Sequence, residues 1–159
     1  MEPPHLTYRN TLVPVGEAAP DFSASTSHGE QVVLSEFRNL RKVVLFFYPG
    51  DFTPVCTAQL CAVRDCWEFF QDSETIVFGI NPLHSRIHAQ FAARNRLPFP
   101  LIEDRHGEIC AAYGCRMLFA TVRRTVYIVN KEGRIAFAER GTPSIERILS
   151  IVRGPEQRP

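Results

Sequence analysis

The sequence predicts an α/β fold with a mixed central sheet flanked by helices and an N-terminal β-hairpin. The run Val43-Val44-Leu45-Phe46-Phe47-Tyr48 is apolar at every position, as expected of a central strand covered on both faces. A helix-like apolar period follows, and then a further strand-like run from Thr75 to Ile80. A strand–helix–strand unit of this kind closes by a right-handed crossover onto a parallel pair. Towards the C-terminus, strand patterns over Arg124–Val129 and Arg134–Phe137 flank the turn residues Asn130-Lys131-Glu132-Gly133. That arrangement predicts an antiparallel hairpin, so the sheet should be mixed.

Taken in order, residues 1–15 form a proline-bearing arm without an apolar period, residues 16–153 one domain, and residues 154–159 a loose tail. Asp21–Ser25 alternates polar and apolar side chains, and Gln31–Leu34 follows after the turn Ser27-His28-Gly29-Glu30. These two short strands make the leading hairpin. Ser35 can cap a short turn through Phe37. Pro49-Gly50-Asp51 ends the central strand. Thr53 then suits a helix N-cap and Pro54 the first helical position. Val55, Leu60, Val63, Trp67 and Phe70 recur at helical intervals to about Gln71. Ser85–Arg96 reads as an amphipathic helix with Ile87, Phe91 and Ala92 inward. Leu97-Pro98-Phe99-Pro100 leads into a short strand, Leu101-Ile102. Gly107–Tyr113 is a short helix stopped by Gly114, and Thr142-Pro143-Ser144 opens a last helix through about Val152. The order matches a thioredoxin-like sandwich.

The chain has 159 residues, long enough to bury a substantial single core. Its 18 Lys+Arg nearly balance 17 Asp+Glu, and no basic run rises above that balance. Nucleic acid and anionic membrane are therefore poor partners. The 12 Phe outnumber the 4 Tyr and 1 Trp, which suits a compact aromatic core. No apolar run approaches the roughly 20 residues that span a bilayer. The opening MEPPHLTYRN lacks the apolar stretch of a signal peptide. A soluble, cytoplasmic protein is expected. In a reducing compartment its 5 Cys are buried, metal-bound or catalytic rather than structurally bridged. The Cys-x4-Cys-x4-Cys spacing of Cys56, Cys61 and Cys66 fits neither zinc nor iron–sulfur sites, so no metal or cofactor is expected.

Cys56 stands out among them. An ordinary thiol titrates near ~8.5 and is mostly inert at neutral pH. Unpaired N–H groups and the macrodipole at a helix N-terminus favour the thiolate, and Cys56 lies in the first turn after Thr53-Pro54. The Thr53 hydroxyl is near enough in sequence to face the sulfur. A thiolate beside a hydroxyl and backbone donors, in a proline-walled pocket, suits attack on a small polar electrophile. The alternative is a buried cysteine that only packs.

The residues Pro49-Gly50-Asp51-Phe52-Thr53-Pro54-Val55-Cys56 resemble the active-site signature of the peroxiredoxins: proline, three residues, threonine, two residues, cysteine. The resemblance extends along nearly the whole chain. Ala19-Pro20-Asp21-Phe22 is similar to that family's opening. Leu97-Pro98-Phe99-Pro100-Leu101 with Asp104 is similar to its middle, and Arg124 before Tyr127-Ile128-Val129 to the strand bearing its active-site arginine. The resemblance implies that Cys56 is the peroxidatic nucleophile, becoming a sulfenic acid as it cleaves the O–O bond. It implies that Thr53 orients peroxide and sulfur, that Pro49 shields the thiolate from water, and that Arg124 stabilises the thiolate and the polarised peroxide. Arg123 could be confused with Arg124, but alternate residues of a strand face opposite ways, so only one can enter the site.

Cys61 lies five residues beyond Cys56. On an intact helix that spacing is a rise of about 7.5 Å and a Cα separation of roughly 8–9 Å, beyond the reach of a disulfide. A bridge between the two would therefore require the first helical turns to unwind. A cysteine at this spacing resembles the Q-type peroxiredoxins, also called bacterioferritin comigratory proteins. The resemblance implies that Cys61 resolves the sulfenic acid within one subunit, that thioredoxin or a similar dithiol reduces the resulting disulfide, and that the protein is a monomer. The substrates implied are hydrogen peroxide and organic hydroperoxides. Open alternatives are a 1-Cys peroxidase with Cys61 structural, and a peroxide-sensing redox switch that changes its surface for a partner. Cys66, Cys110 and Cys115 read as packing residues. His28, His84, His88 and His106 read as exposed residues without a catalytic role. Gln59, Asn81-Pro82-Leu83 and Asn130 depart from common family residues, where many relatives carry Glu, a Ser-containing acidic segment and Asp.

Overall fold

The computed structural model describes residues 8–117 and 121–154. Five strands form the main sheet: β3 (Lys42–Phe47), β4 (Thr75–Asn81), β5 (Leu101–Glu103), β6 (Thr125–Val129) and β7 (Ile135–Arg140). Their spatial order is β5-β4-β3-β6-β7. Strands β3, β4 and β5 run parallel, while β6 lies antiparallel to β3 and β7 antiparallel to β6. A separate antiparallel pair, β1 (Ser23–Ser25) and β2 (Gln31–Val33), forms the leading hairpin and leads into a 3-10 turn over Leu34–Phe37. The helices are α1 (Pro54–Asp65), α2 (Trp67–Asp72), α3 (Ser85–Arg94), α4 (Glu108–Ala112) and α5 (Ile145–Arg153). The mixed α/β architecture is the one the sequence predicts.

Strand β3 divides the interior because successive side chains point to opposite faces. Val43, Leu45 and Phe47 enter a core with Phe22 of the segment before β1, Ile109 and Cys110 of α4, and Tyr113. Val44, Phe46 and Tyr48 enter the other core, against Leu60 and Val63 of α1, Phe70 of α2, Phe91 of α3 and Ile148 of α5. Each such side chain contributes about 1.5–3 kcal/mol when fully buried. The face that receives Tyr48 also receives Cys56. This alternation thus decides on which side of the sheet the nucleophile candidate sits.

The structure departs from the sequence reading at several points. The helix expected from Pro54 to about Gln71 is two helices, broken at Cys66, whose backbone (φ −114, ψ 21) leaves the helical range. The Cys66 N–H bonds back three residues to Val63. Trp67 then stacks on Phe70 and packs on Phe99, with centroids 6.1 and 5.7 Å away. A change of helix direction brings the indole to those rings, and a periodicity pattern passes over a one-residue break. Strand β7 extends to Arg140, three residues past the expected end. On α3 the buried face is His88, Phe91 and Ala92, whereas Ile87 is only partly covered.

The arm before β1 is held by backbone bonds: Arg9 N–H to Ala111, Gly16 N–H to Ile135, and Ala19 N–H to Gly133. Thr11 comes so near Gly114 (φ 67) that a Cβ there would lie 2.1 Å from the Thr11 carbonyl oxygen. No helix among the described residues is long and apolar enough to cross a membrane.

Candidate active site

The chain leaves β3 at Tyr48, whose N–H still bonds to the Ile80 carbonyl. It then forms a five-residue loop, Pro49-Gly50-Asp51-Phe52-Thr53, before α1. Pro49 is exposed and Gly50 buried. Phe52 adopts a left-handed backbone (φ 64), which non-glycine residues enter only under constraint. Its ring meets Phe91 edge-on at 5.1 Å.

Thr53 takes the extended conformation of an N-cap, and its carbonyl accepts the first helical bond from Thr57 N–H at 2.9 Å. Its side chain does not cap the helix; the hydroxyl donates to the Gly50 carbonyl at 3.3 Å and ties the loop across its base. Pro54 opens the helix, where a missing N–H costs nothing. Cys56 follows within the first turn, fully buried.

Arg124 arrives from the residue before β6. Because Thr125 pairs with Phe47 in the sheet register, position 124 lies beside the end of β3 where the loop begins. The Arg124 Nη1 donates to Cys56 Sγ at 3.3 Å and to Gln59 Oε1 at 3.2 Å. Arg123 is exposed, and its N–H bonds to the Cys115 carbonyl. Gln59 Nε2 is buried without a hydrogen-bond partner among the described residues. Beside it runs a groove of ≈ 370 Å³ between α1 and the segment entering α5, walled by Val55, Ala62, Pro143 and Ile145.

Cys61 lies on the same unbroken helix as Cys56, half-buried, and its thiol contacts Asn95 Oδ1 at 3.8 Å. Arg64 Nη1 donates to the Asn95 carbonyl at 2.7 Å, so the middle of α1 is pinned to the end of α3. All five cysteines are free thiols. Cys66 sits partly buried at the helix break. Cys110 and Cys115 lie in the core on the opposite face of the sheet from Cys56. Burial pushes both thiols up, Cys115 to about 11. Among the described residues there is no His/Cys/Asp/Glu cluster able to hold a metal.

The sequence reading missed a cluster of four residues, Asp51 in the loop and three behind it. Asp51 and His88 are fully buried, with His88 Nδ1 2.6 Å from Asp51 Oδ2. Tyr48 Oη and Asn81 Nδ2 both donate to Asp51 Oδ1, at 2.6 and 3.3 Å. His88, expected to be exposed, is thus corrected to a core position, while His28, His84 and His106 are exposed. The signal was present: His88 stands three and four residues before Phe91 and Ala92, on the face those residues define.

The profile of the AhpC/TSA family matches residues 15–138. The chain is 32% identical over 130 residues to Peroxiredoxin Bcp of Bacillus subtilis (strain 168), covering 77% of this chain and 82% of that one. It is 36% identical over 140 residues to Peroxiredoxin Q, chloroplastic, of Oryza sativa subsp. japonica, covering 84% of this chain and 64% of the plant one. The crystal structure of peroxidoxin BcpB from Mycobacterium tuberculosis superposes with a TM-score of 0.81 at 28% identity, over 87% of this chain and 96% of that chain.

Proposed function

The chain belongs to the AhpC/TSA family, among its Bcp- and Q-type peroxiredoxins, and on that premise we propose that Cys56 is the residue with which this thiol peroxidase attacks peroxide. The observation that carries the assignment is the 3.3 Å bond from Arg124 to a buried cysteine sulfur in the first turn of a helix. The Cys56 thiolate attacks one oxygen of the O–O bond. The S–O bond forms as the O–O bond breaks, and the leaving oxygen departs with a proton as water or an alcohol. Arg124 holds the sulfur and meets negative charge as it passes to the peroxide oxygens, the task for which a preorganised donor is most effective. Thr53 orients the incoming peroxide, and Pro49 covers the sulfur from the solvent side.

Cys61 then attacks the Cys56 sulfenic acid. The S–S bond forms, the sulfenic oxygen leaves as water, and a dithiol reductant of the thioredoxin type returns both thiols while becoming a disulfide itself. Since both cysteines lie on one wound helix, this step requires the first turns of α1 to open. The groove beside Gln59 offers an apolar wall to the organic part of a hydroperoxide, so small organic hydroperoxides are substrates along with hydrogen peroxide. The enzyme works as a monomer, a reading supported by the placement of both cysteines in one helix, and its free thiols suit the reducing cytoplasm.

The test is turnover with thioredoxin, thioredoxin reductase and NADPH. Wild type sustains NADPH oxidation, and Cys56→Ser consumes none. Cys61→Ser stops after one equivalent of peroxide. A Cys61→Ser protein as fast as wild type would make Cys61 a packing residue and the enzyme a 1-Cys peroxidase. A wild type that consumes one equivalent and then falls silent would be a redox switch instead.

A further inference from the structure

The peroxidatic reaction sketched above makes no use of Asp51, His88, Tyr48 or Asn81, yet the last three enclose Asp51, which belongs to the loop that carries Thr53, in a buried polar cluster. Both oxygens of the Asp51 carboxylate are occupied, one by Tyr48 Oη and Asn81 Nδ2 and the other by His88 Nδ1. The Asp51 and His88 side chains are 0% exposed. The remaining His88 nitrogen, Nε2, is buried without a partner among the described residues. Such an arrangement costs stability relative to an apolar core of the same shape, so stability alone gives no reason for it.

The partners are distributed in a telling way. Tyr48 follows the end of β3, Asn81 is the last residue of β4, and His88 lies on α3. None of them belongs to α1. Asp51 is therefore tied to three elements other than the helix that carries Cys56 and Cys61. The next residue, Phe52, holds a left-handed backbone conformation, which persists only where neighbouring structure enforces it. Burial and the neighbouring Asp51 raise the Tyr48 phenol well above its usual range, so it remains a donor throughout the working pH range.

We propose that the Asp51–His88 pair, with Tyr48 and Asn81, is a latch on the Pro49–Thr53 loop: it keeps the first turns of α1 wound while Cys56 attacks peroxide, and its strength sets how readily they open to deliver the sulfenic acid to Cys61. This rests on the assignment of Cys56 and Cys61 made above. The four are positioning residues, acting on the sulfur through the loop. A weaker latch makes the attack on peroxide slower and the disulfide step faster. It also shortens the life of the sulfenic acid, so that less of it is over-oxidised to sulfinic acid by a second peroxide.

The experiment is stopped-flow fluorescence of the single Trp67, at the junction of α1 and α2, with excess hydrogen peroxide. It is paired with mass spectrometry of Cys56 and amide exchange of the reduced protein. Tyr48→Phe removes one donor at constant shape. His88→Leu removes the imidazole, and His88→Asn restores an amide donor near the place of Nδ1. Tyr48→Phe and His88→Leu should speed exchange over residues 53–57 about 10- to 100-fold, the size of losing one hydrogen bond to a charged group. Exchange over α5 should stay unchanged. The same variants should slow the first fluorescence phase, quicken the second, and lower the sulfinic fraction, with His88→Asn close to wild type. If His88→Leu does not fold, Tyr48→Phe decides. Variants whose two phases keep the wild-type ratio, or slow together, overturn the latch alone. A wild type that consumes peroxide without forming a Cys56–Cys61 disulfide overturns the resolving assignment and the latch with it.

Discussion

Arg124 is the residue that sequence proximity to Cys56 could not supply, since 68 positions separate them. Its Nη1 serves both Cys56 and Gln59, so removing the guanidinium leaves a buried sulfur and a buried amide without their donor. Arg124→Met keeps much of the volume and should slow peroxide reduction by about 10²–10³-fold, the usual cost of losing one preorganised donor. The melting temperature should fall by only a few degrees, and Arg123→Ala should behave as wild type; competition kinetics against a reference peroxidase reads the two rates. The contrast between the two arginines was legible in advance only as a choice, because strand alternation says that one points in and leaves open which. The sheet register decides it, by pairing Thr125 with Phe47. His88 went unseen for a related reason. Histidine is common on surfaces, and the carboxylate that makes its burial tolerable lies 37 residues earlier in a loop.

At the scale of the element, α1 is anchored before its first turn and again in its later half. The loop before it is held through Asp51, and Arg64 fixes its later half to the Asn95 carbonyl. Cys56 and Cys61 lie between these points. Oxidation by one equivalent of peroxide should therefore remove amide-exchange protection from residues 54–61, while residues 145–153 of α5 keep theirs. Equal protection of α1 in both states would show that the helix does not open. The N-terminal half of α1 was readable from Thr53-Pro54 and the apolar period, since caps and proline act locally. Its end at Cys66 was not, because the break serves the packing of Trp67 on Phe70 and Phe99, and Phe99 is far away in sequence.

Over the whole molecule, the two cores separate chemistry from support. Cys56 lies in one, while Cys110 and Cys115 lie in the other with raised thiols. Native protein should therefore lose Cys56 to iodoacetamide well before Cys110 or Cys115, which react only on unfolding; peptide mapping over time shows the order. Burial raises Cys115 from 9.0 to about 11, with Thr125 and Arg140 opposing the shift. Below pH 9 the thiol is protonated in both folded and unfolded chains and adds no pH dependence. Between 9 and about 11 the unfolded chain loses the proton first, so stability falls as pH rises, by about 2–3 kcal/mol in all. Cys115→Ala should flatten that part of the profile in urea titrations at pH 8 and 10.5. The supporting core also receives the N-terminal arm. Gly114→Ala would place a Cβ 2.1 Å from the Thr11 carbonyl oxygen at a left-handed backbone. It should cost at least ~2 kcal/mol in the same titrations and loosen the arm.

The order of strands and helices, the mixed sheet and the position of Cys56 at a helix start were determined by the chain read alone. Each rests on local rules: side-chain period, caps, and turn residues acting within a few positions. The tertiary structure decided what lies around that cysteine. Which arginine reaches it, why His88 is buried, and where α1 ends all depend on contacts between elements distant in sequence. The register of β3 with β6 and the burial of one carboxylate behind a loop are set by packing. No pattern within one segment carries that information.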